Sequence, residues 1–207
     1  MGCGASSLQE QKGRIVVEHQ TFTAPPTAKM SKARKQVVLL GQSEHGKSSL
    51  SMVLAKEGRA EAKTWGDLAP QPCEVECEGE EAVLVLKDMP ASKIAEDLSG
   101  GPDVCALLVI SVLEGPRDET MYHINMAKGK GIERLVVFVS KCDLETDSML
   151  QELVKDEAFG VLVDAGFSEE TAFVFGSALK AIEGDVGELG EEAIKKLVAE
   201  LEGVCVK

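Results

Sequence analysis

Apolar and polar positions alternate along this chain in short runs, some with the period of a strand and some with that of a helix. Residues 36–40 (QVVLL) form an apolar run ending at Gly41, which predicts a strand buried on both faces. Residues 47–55 place Leu50, Val53 and Leu54 at helical spacing. Runs 73–77 and 82–87 predict two strands, with Glu78-Gly79-Glu80 as their turn. The most apolar stretch, 104–111 (VCALLVIS), and 135–140 (LVVFVS) predict two further strands with a helix over 118–128 between them. An amphipathic helix over 149–165, a short strand over 171–175 and a last helix over 191–201 complete the pattern. The order βα-ββ-(α)-βα-βα-βα, its bracketed helix falling between 88 and 104, predicts an α/β fold. That fold is a mainly parallel six-stranded sheet with helices on both faces.

Ahead of that pattern, residues 1–34 are rich in Gly, Ser, Thr, Gln and Pro, and Pro25-Pro26 interrupts any regular element. They are expected to be a flexible tail, with the domain running from 35 to 207. The whole chain has 22 basic and 35 acidic residues, a net charge of −13, while residues 1–35 carry six basic and two acidic ones. The acidic body argues against a direct nucleic-acid partner, since phosphate attraction needs Lys and Arg. No apolar run approaches the ~20 residues that span a bilayer. The six cysteines are scattered, and Cys77, Cys105 and Cys142 lie in or beside apolar strands, so they are expected to be buried free thiols. Cys73 and Cys77 lack the second pair of a zinc site, and His19, His45 and His123 are dispersed.

The strongest chemical signal is Gly41-Gln42-Ser43-Glu44-His45-Gly46-Lys47-Ser48, or G-x-x-x-x-G-K-S, between a predicted strand and a predicted helix. Glycines let a backbone fold around phosphate so that successive N–H groups, here those of residues 41–49 including Ser43, Glu44 and Ser49, face its oxygens. Lys47 reaches the outer phosphates and Ser48 offers a hydroxyl to Mg²⁺. The helix that starts there adds its positive end. This predicts the P-loop NTPase version of the α/β fold. A second signal, Ser140-Lys141-Cys142-Asp143, closes the strand LVVFVS.

Together these motifs resemble the GTP-binding domain of elongation factor Tu over residues ~36–200. The loop 41–50 is similar to that family's G-H-V-D-H-G-K-T-T-L, and 135–144 (LVVFVSKCDL) to its I-V-V-F-L-N-K-C-D-M. Residues 177–185 (SALKAIEGD) are similar to its S-A-L-K-A-L-E-G-D. The resemblance implies GTP and GDP as ligands with Mg²⁺. Asp143 would accept hydrogen bonds from the guanine N1 and exocyclic amine, with Ser140 and Lys141 in the same loop. Ser177, Ala178 and Leu179 would offer backbone N–H groups to the guanine carbonyl, and Asp88 would stand behind the waters of Mg²⁺.

Departures from the family pattern carry equal weight. Where the family has D-x-P-G-H, this chain reads Asp88-Met89-Pro90-Ala91-Ser92. Ala91 adds a Cβ where the family's Gly turns toward the γ-phosphate, and Ser92 stands where its His positions the attacking water. The family's Mg²⁺-binding Thr should fall near Ala69 or Pro70, and Thr64 is the nearest Thr. Ser140 replaces an Asn whose side-chain amide ties the base loop to the phosphate loop. Slow hydrolysis is therefore expected, with Lys47 alone of the catalytic groups intact and Ser92 a poor substitute.

Met1-Gly2-Cys3-Gly4-Ala5-Ser6 fits the N-myristoylation pattern, with Gly2 the acceptor and Cys3 a candidate for palmitoylation. One myristoyl chain holds a membrane only marginally, and a second makes attachment stable. The expected protein is thus a guanine-nucleotide switch with an unidentified effector. It would sit on the cytoplasmic face of a membrane if acylated and in the cytosol otherwise. Two other readings stand beside it. One is a relative or fragment of a translation factor, which would need the β-barrel domains that grip aminoacyl-tRNA. The other is a scaffold that keeps the fold without the nucleotide.

Overall fold

A computed structural model describes residues 32–57, 73–88, 101 and 104–206. The bracketed helix, the tail 1–31 with Gly2 and Cys3, Thr64, Ala69, Pro70, Ala91 and Ser92 lie outside the described residues.

Six strands, β1 (Ala33–Leu40), β2 (Cys73–Glu78), β3 (Ala82–Asp88), β4 (Val104–Ser111), β5 (Arg134–Ser140) and β6 (Ala172–Phe175), form one sheet in the order β2-β3-β1-β4-β5-β6. Only β2 runs antiparallel, paired to β3. The other neighbours are parallel, in register from Val38 beside Lys87 through Leu40 beside Leu108 to Ser111 beside Ser140. β1 starts at Ala33, three residues before the apolar run, so two residues assigned to the tail belong to the sheet. Its first residues are largely exposed and polar, and the backbone ladder to β3, not hydrophobicity, holds them.

Period-two alternation divides the sheet into two packed faces. Val37, Leu39, Leu107, Val109, Val136 and Phe138 point to α1 (Lys47–Glu57), α4 (Ala178–Ile182) and α5 (Glu191–Val206), with Leu50, Leu54, Ala181, Ile194 and Leu197 filling that core. Val38, Leu40, Leu108, Ile110, Val137 and Val139 point the other way, to α2 (Asp118–Gly129) and α3 (Ser148–Asp164). Every residue of β4 is buried, as its unbroken apolar run requires of a strand covered on both sides. Helix α3 begins where the Asp147 carboxylate accepts the Met149 N–H at 2.8 Å. It ends where Gly166 takes φ 83° and returns its N–H to the Val163 carbonyl at 2.9 Å. None of the described helices is long and apolar enough to cross a membrane.

Sheet order places the site. From β1 the chain pairs outward to β3, then crosses back to lay β4 on the other side of β1. Ligands in open α/β sheets bind outside the carboxyl ends of the strands at such a reversal. The G-x-x-x-x-G-K-S loop, Asp88, Ser111, Ser140 and the 176–177 turn all follow or end a strand on that edge.

At the opposite edge of the sheet, Glu202 of α5 reaches the β2–β3 turn. Its carboxylate accepts the N–H groups of Glu80, Glu81 and Ala82 at 3.0, 2.9 and 2.9 Å. A Cβ at Gly79 would lie 1.9 Å from a Glu202 oxygen, so a side chain there would displace the carboxylate. Lys32 also donates to the Gly79 carbonyl. Cys77, Cys105, Cys142 and Cys205 are buried.

Candidate nucleotide site

The phosphate loop owes its path to two glycines and one strained residue. A Cβ on Gly41 would stand 2.2 Å from the Val109 carbonyl oxygen, so only glycine lets the chain leave β1 pressed against β4. Glu44 and Gly46 then adopt left-handed φ values of 65° and 91°. That conformation is costly for Glu44 and is characteristic of loops built for a ligand. α1 begins at Lys47, and its first i→i−4 bond runs from Leu50 N–H to Gly46 O at 2.9 Å. The earlier amides therefore face the loop, where a helix N-terminus favours an anion.

Lys47 folds back over the loop, its ammonium donating to the Gly41 and Gln42 carbonyls at 2.7 Å each. Burial lowers its pKa, against the pull of the Asp88 and Glu119 carboxylates. Burial likewise raises the pKa of Asp88, opposed by Lys47 and by the Ser48 and Ser51 hydroxyls. Both hydroxyls lie 3.4 Å from Asp88 Oδ2, and Ser51 also donates to the Lys47 carbonyl at 3.0 Å. A partly desolvated cation and carboxylate thus sit at one edge with a hydroxyl beside the carboxylate. That donor set suits a phosphate with a hard divalent ion, and an oxygen-ligated Mg²⁺ takes few protein ligands. Among the described residues, no group of three His, Cys, Asp or Glu could hold a metal by itself.

His45 is fully buried beneath the loop. Its Nδ1 accepts the Ser111 N–H at 3.3 Å, and its Nε2 lies 3.8 Å from a Glu114 oxygen. Burial lowers its pKa, with Glu114 opposing, so the ring is neutral at neutral pH. Buried His123 on α2 is also held below its usual value by burial, and it feels the charge of Lys47.

The base loop meets the phosphate loop directly. Ser140 Oγ donates to the His45 carbonyl at 2.6 Å and lies 3.2 Å from the Ile110 carbonyl. The expectation that Ser140 gives up the tie made by the family's Asn is thereby corrected: the amide is gone, and the shorter hydroxyl makes the link. Lys141 takes a left-handed φ of 62°, and half-buried Asp143 follows it. Between them Cys142 is buried, its N–H on the Gly176 carbonyl at 3.2 Å, and burial pushes its thiol up to about 11. That thiol is a structural plug, inert as a nucleophile.

Ser177 has a different role from the one expected. Its N–H is spent on the Leu189 carbonyl at 2.7 Å, and its Oγ caps α4 by accepting the Lys180 N–H at 3.2 Å. The first helical bond of α4 is from Ala181 N–H to the Ser177 carbonyl, which leaves the amides of Ala178 and Leu179 for a ligand. Ser51, Ser111 and Glu114 were missed from sequence, although Ser51 lies one helical turn beyond Lys47 and Ser48 on α1. The sequence model of the elongation factor Tu GTP binding domain matches residues 102–203. The match takes in the Ser140–Asp143 and Ser177–Asp185 motifs, while Gly41–Ser48 and Asp88 stand outside it and rest on the geometry above.

Proposed function

We propose that this chain, whose residues 102–203 match the elongation factor Tu GTP binding domain, binds GTP and GDP with Mg²⁺ as a switch of the translation-factor type. The observation that carries the reading is the joining of phosphate loop and base loop by the Ser140–His45 hydrogen bond. Loop amides and Lys47 take the phosphates, Asp143 the guanine N1 and amine, and the Ala178 and Leu179 amides the guanine carbonyl. The Ser48 hydroxyl would hold Mg²⁺ with Asp88 behind its waters, and the ion would neutralise charge on the phosphate oxygens. Guanine is selected because a carboxylate accepts from its two donors, where adenine offers the opposite pattern. Replacing Asp143 by Asn should move the base preference from guanine to xanthine, whose second carbonyl matches an amide donor. An unchanged preference for GDP over XDP in competition binding would remove Asp143 from the base site.

Hydrolysis is slow in this reading, since Ser92 and Ala91 replace the groups that position water and face the γ-phosphate. The Gly2 and Cys3 acyl sites tether the protein to the cytoplasmic face of a membrane, from which an effector protein reads its nucleotide state. Fractionation of cells expressing Gly2→Ala tests the tether: a shift to the soluble fraction supports it, and unchanged membrane association contradicts it.

A further inference from the structure

Cys105 lies near the start of β4, and Arg134 opens β5 beside it in register. The Cys105 side chain joins the core beneath α5, where Cys205 also lies, and the two are 1% and 0% exposed. Arg134 spans from the sheet to that helix, its guanidinium donating to the Val204 and Cys205 carbonyls at 3.4 and 3.3 Å. The same guanidinium and the Cys205 thiol both donate to the Cys105 sulfur. Cys142 shows the ordinary effect of burial, which pushes its thiol up to about 11. Cys105 departs the other way. The hydrogen bond from Cys205 holds its pKa below the ordinary 9.0 against burial, and the Arg134 and Lys35 charges add to the effect. Cys205 is raised in turn, through that same bond and then burial.

A thiolate held by a neighbouring thiol and a guanidinium is the attacking half of a dithiol pair, and the neighbour is its resolving half. We propose that Cys105 and Cys205 close into a disulfide when the protein meets a low-molecular-weight disulfide such as oxidised glutathione, clasping α5 to β4. Cys105, its proton lost to solvent, attacks one sulfur of the small disulfide, forming a mixed disulfide and expelling one small thiolate. Cys205 then gives its proton to solvent and attacks the Cys105 sulfur, which expels the second small thiolate. Two protein thiols and one small disulfide thus become one protein disulfide and two small thiols, each thiolate taking back a proton. Access comes through the last turn of α5. The helix ends at half-exposed Val206, and terminal turns open at little cost. That opening also lets the sulfurs approach to the ~2.05 Å of the bond. Because the bridge joins residues 105 and 205, it closes a long loop of chain, the case in which a cross-link restricts the unfolded state most.

The test incubates the folded, reduced full chain with oxidised glutathione, alkylates the remaining thiols in urea and maps the tryptic peptides without reduction. The expected product is peptide 94–117 joined to peptide 197–207, the link disappearing on addition of dithiothreitol. The cross-linked protein should melt about 5 °C above the reduced one. Cys205→Ala should stop at a glutathione adduct on Cys105, and Cys105→Ala should leave Cys205 unmodified. Recovery of both cysteines as alkylated thiols, or of either joined to a different cysteine, overturns the proposal. So does a cross-linked protein that melts below the reduced one. The wild-type map is decisive even where a variant fails to fold.

Discussion

The Ser140 hydroxyl donates to the His45 carbonyl oxygen at 2.6 Å, across 95 residues of sequence, and both groups are buried. It joins the loop that would read the base to the loop that would hold the phosphates. Ser140→Ala removes the donor and leaves the His45 carbonyl without it, a loss of about 1–3 kcal/mol for a buried group. GDP dissociation should then be about ten-fold faster or more, while Ser140→Asn, which supplies an amide donor, should stay within a few-fold of wild type. Stopped-flow release of a fluorescent GDP reads both variants. A wild-type rate for Ser140→Ala would show that the bond holds nothing together.

Asp88 sets function against stability. Its pKa in the fold lies above the ordinary 3.8, chiefly through burial. With the folded value raised, the stability that this group contributes is full below pH 3.8 and is lost as pH climbs through the raised value. At neutral pH the ionised carboxylate therefore costs the nucleotide-free protein stability. Asp88→Asn should raise the melting temperature of that form by on the order of 2 °C. It should also abolish the strengthening of nucleotide binding by Mg²⁺. A lower melting temperature in the absence of nucleotide would reverse the assigned sign.

Much of this fold is legible in the sequence because both core faces follow a period of two, and each long helix carries its own apolar line. Four predicted elements, over 104–111, 118–128, 135–140 and 149–165, lie within one residue of those observed at each end. The start of β1 was hidden because Ala33, Arg34 and Lys35 are held by strand pairing, with Arg34 also paired to Glu76. Helix α4 has five residues, too few to show a period, and is fixed by the Ser177 cap. The motifs gave the identities of Lys47, Ser48, Asp88 and Asp143. What they could not give was the set of groups acting on them through space: Ser51 on Asp88, Ser111 and Glu114 around His45, and Leu189 on the Ser177 amide.

Glu202 is the clearest such case, since its three donors lie 120–122 residues away in sequence. Glu202→Ala strands three backbone N–H groups at the β2–β3 turn and should destabilise the protein by about 2–4 kcal/mol. Glu202→Gln should cost less, because one carbonyl oxygen still accepts while the amide nitrogen faces a donor. Urea unfolding measures both, and equal stability of Glu202→Ala and wild type would show that water replaces the carboxylate without loss.

Single-turnover GTP hydrolysis by the isolated protein should be at or below roughly 10⁻⁴ s⁻¹, the level of an unstimulated small GTPase. Catalysis in this class rests on placing water and stabilising charge at the γ-phosphate. Ala91→Gly combined with Ser92→His should raise the rate if those two positions limit it. A wild-type rate near ~1 s⁻¹ without a partner would refute the slow-site reading.

The central claim, that the edge formed by Gly41–Ser48, Asp88, Ser140–Asp143 and Ala178–Leu179 is a guanine-nucleotide site, meets its most direct test in one titration. Fluorescent GDP is added to the purified full chain with Mg²⁺ and then competed with GTP and ATP, alongside Lys47→Ala. The expected result is a dissociation constant of about 1 μM or tighter. GTP should displace the label within a few-fold of GDP, ATP should fail to do so, and Lys47→Ala should not bind. ATP competing as well as GTP, or Lys47→Ala binding like the wild type, would contradict it.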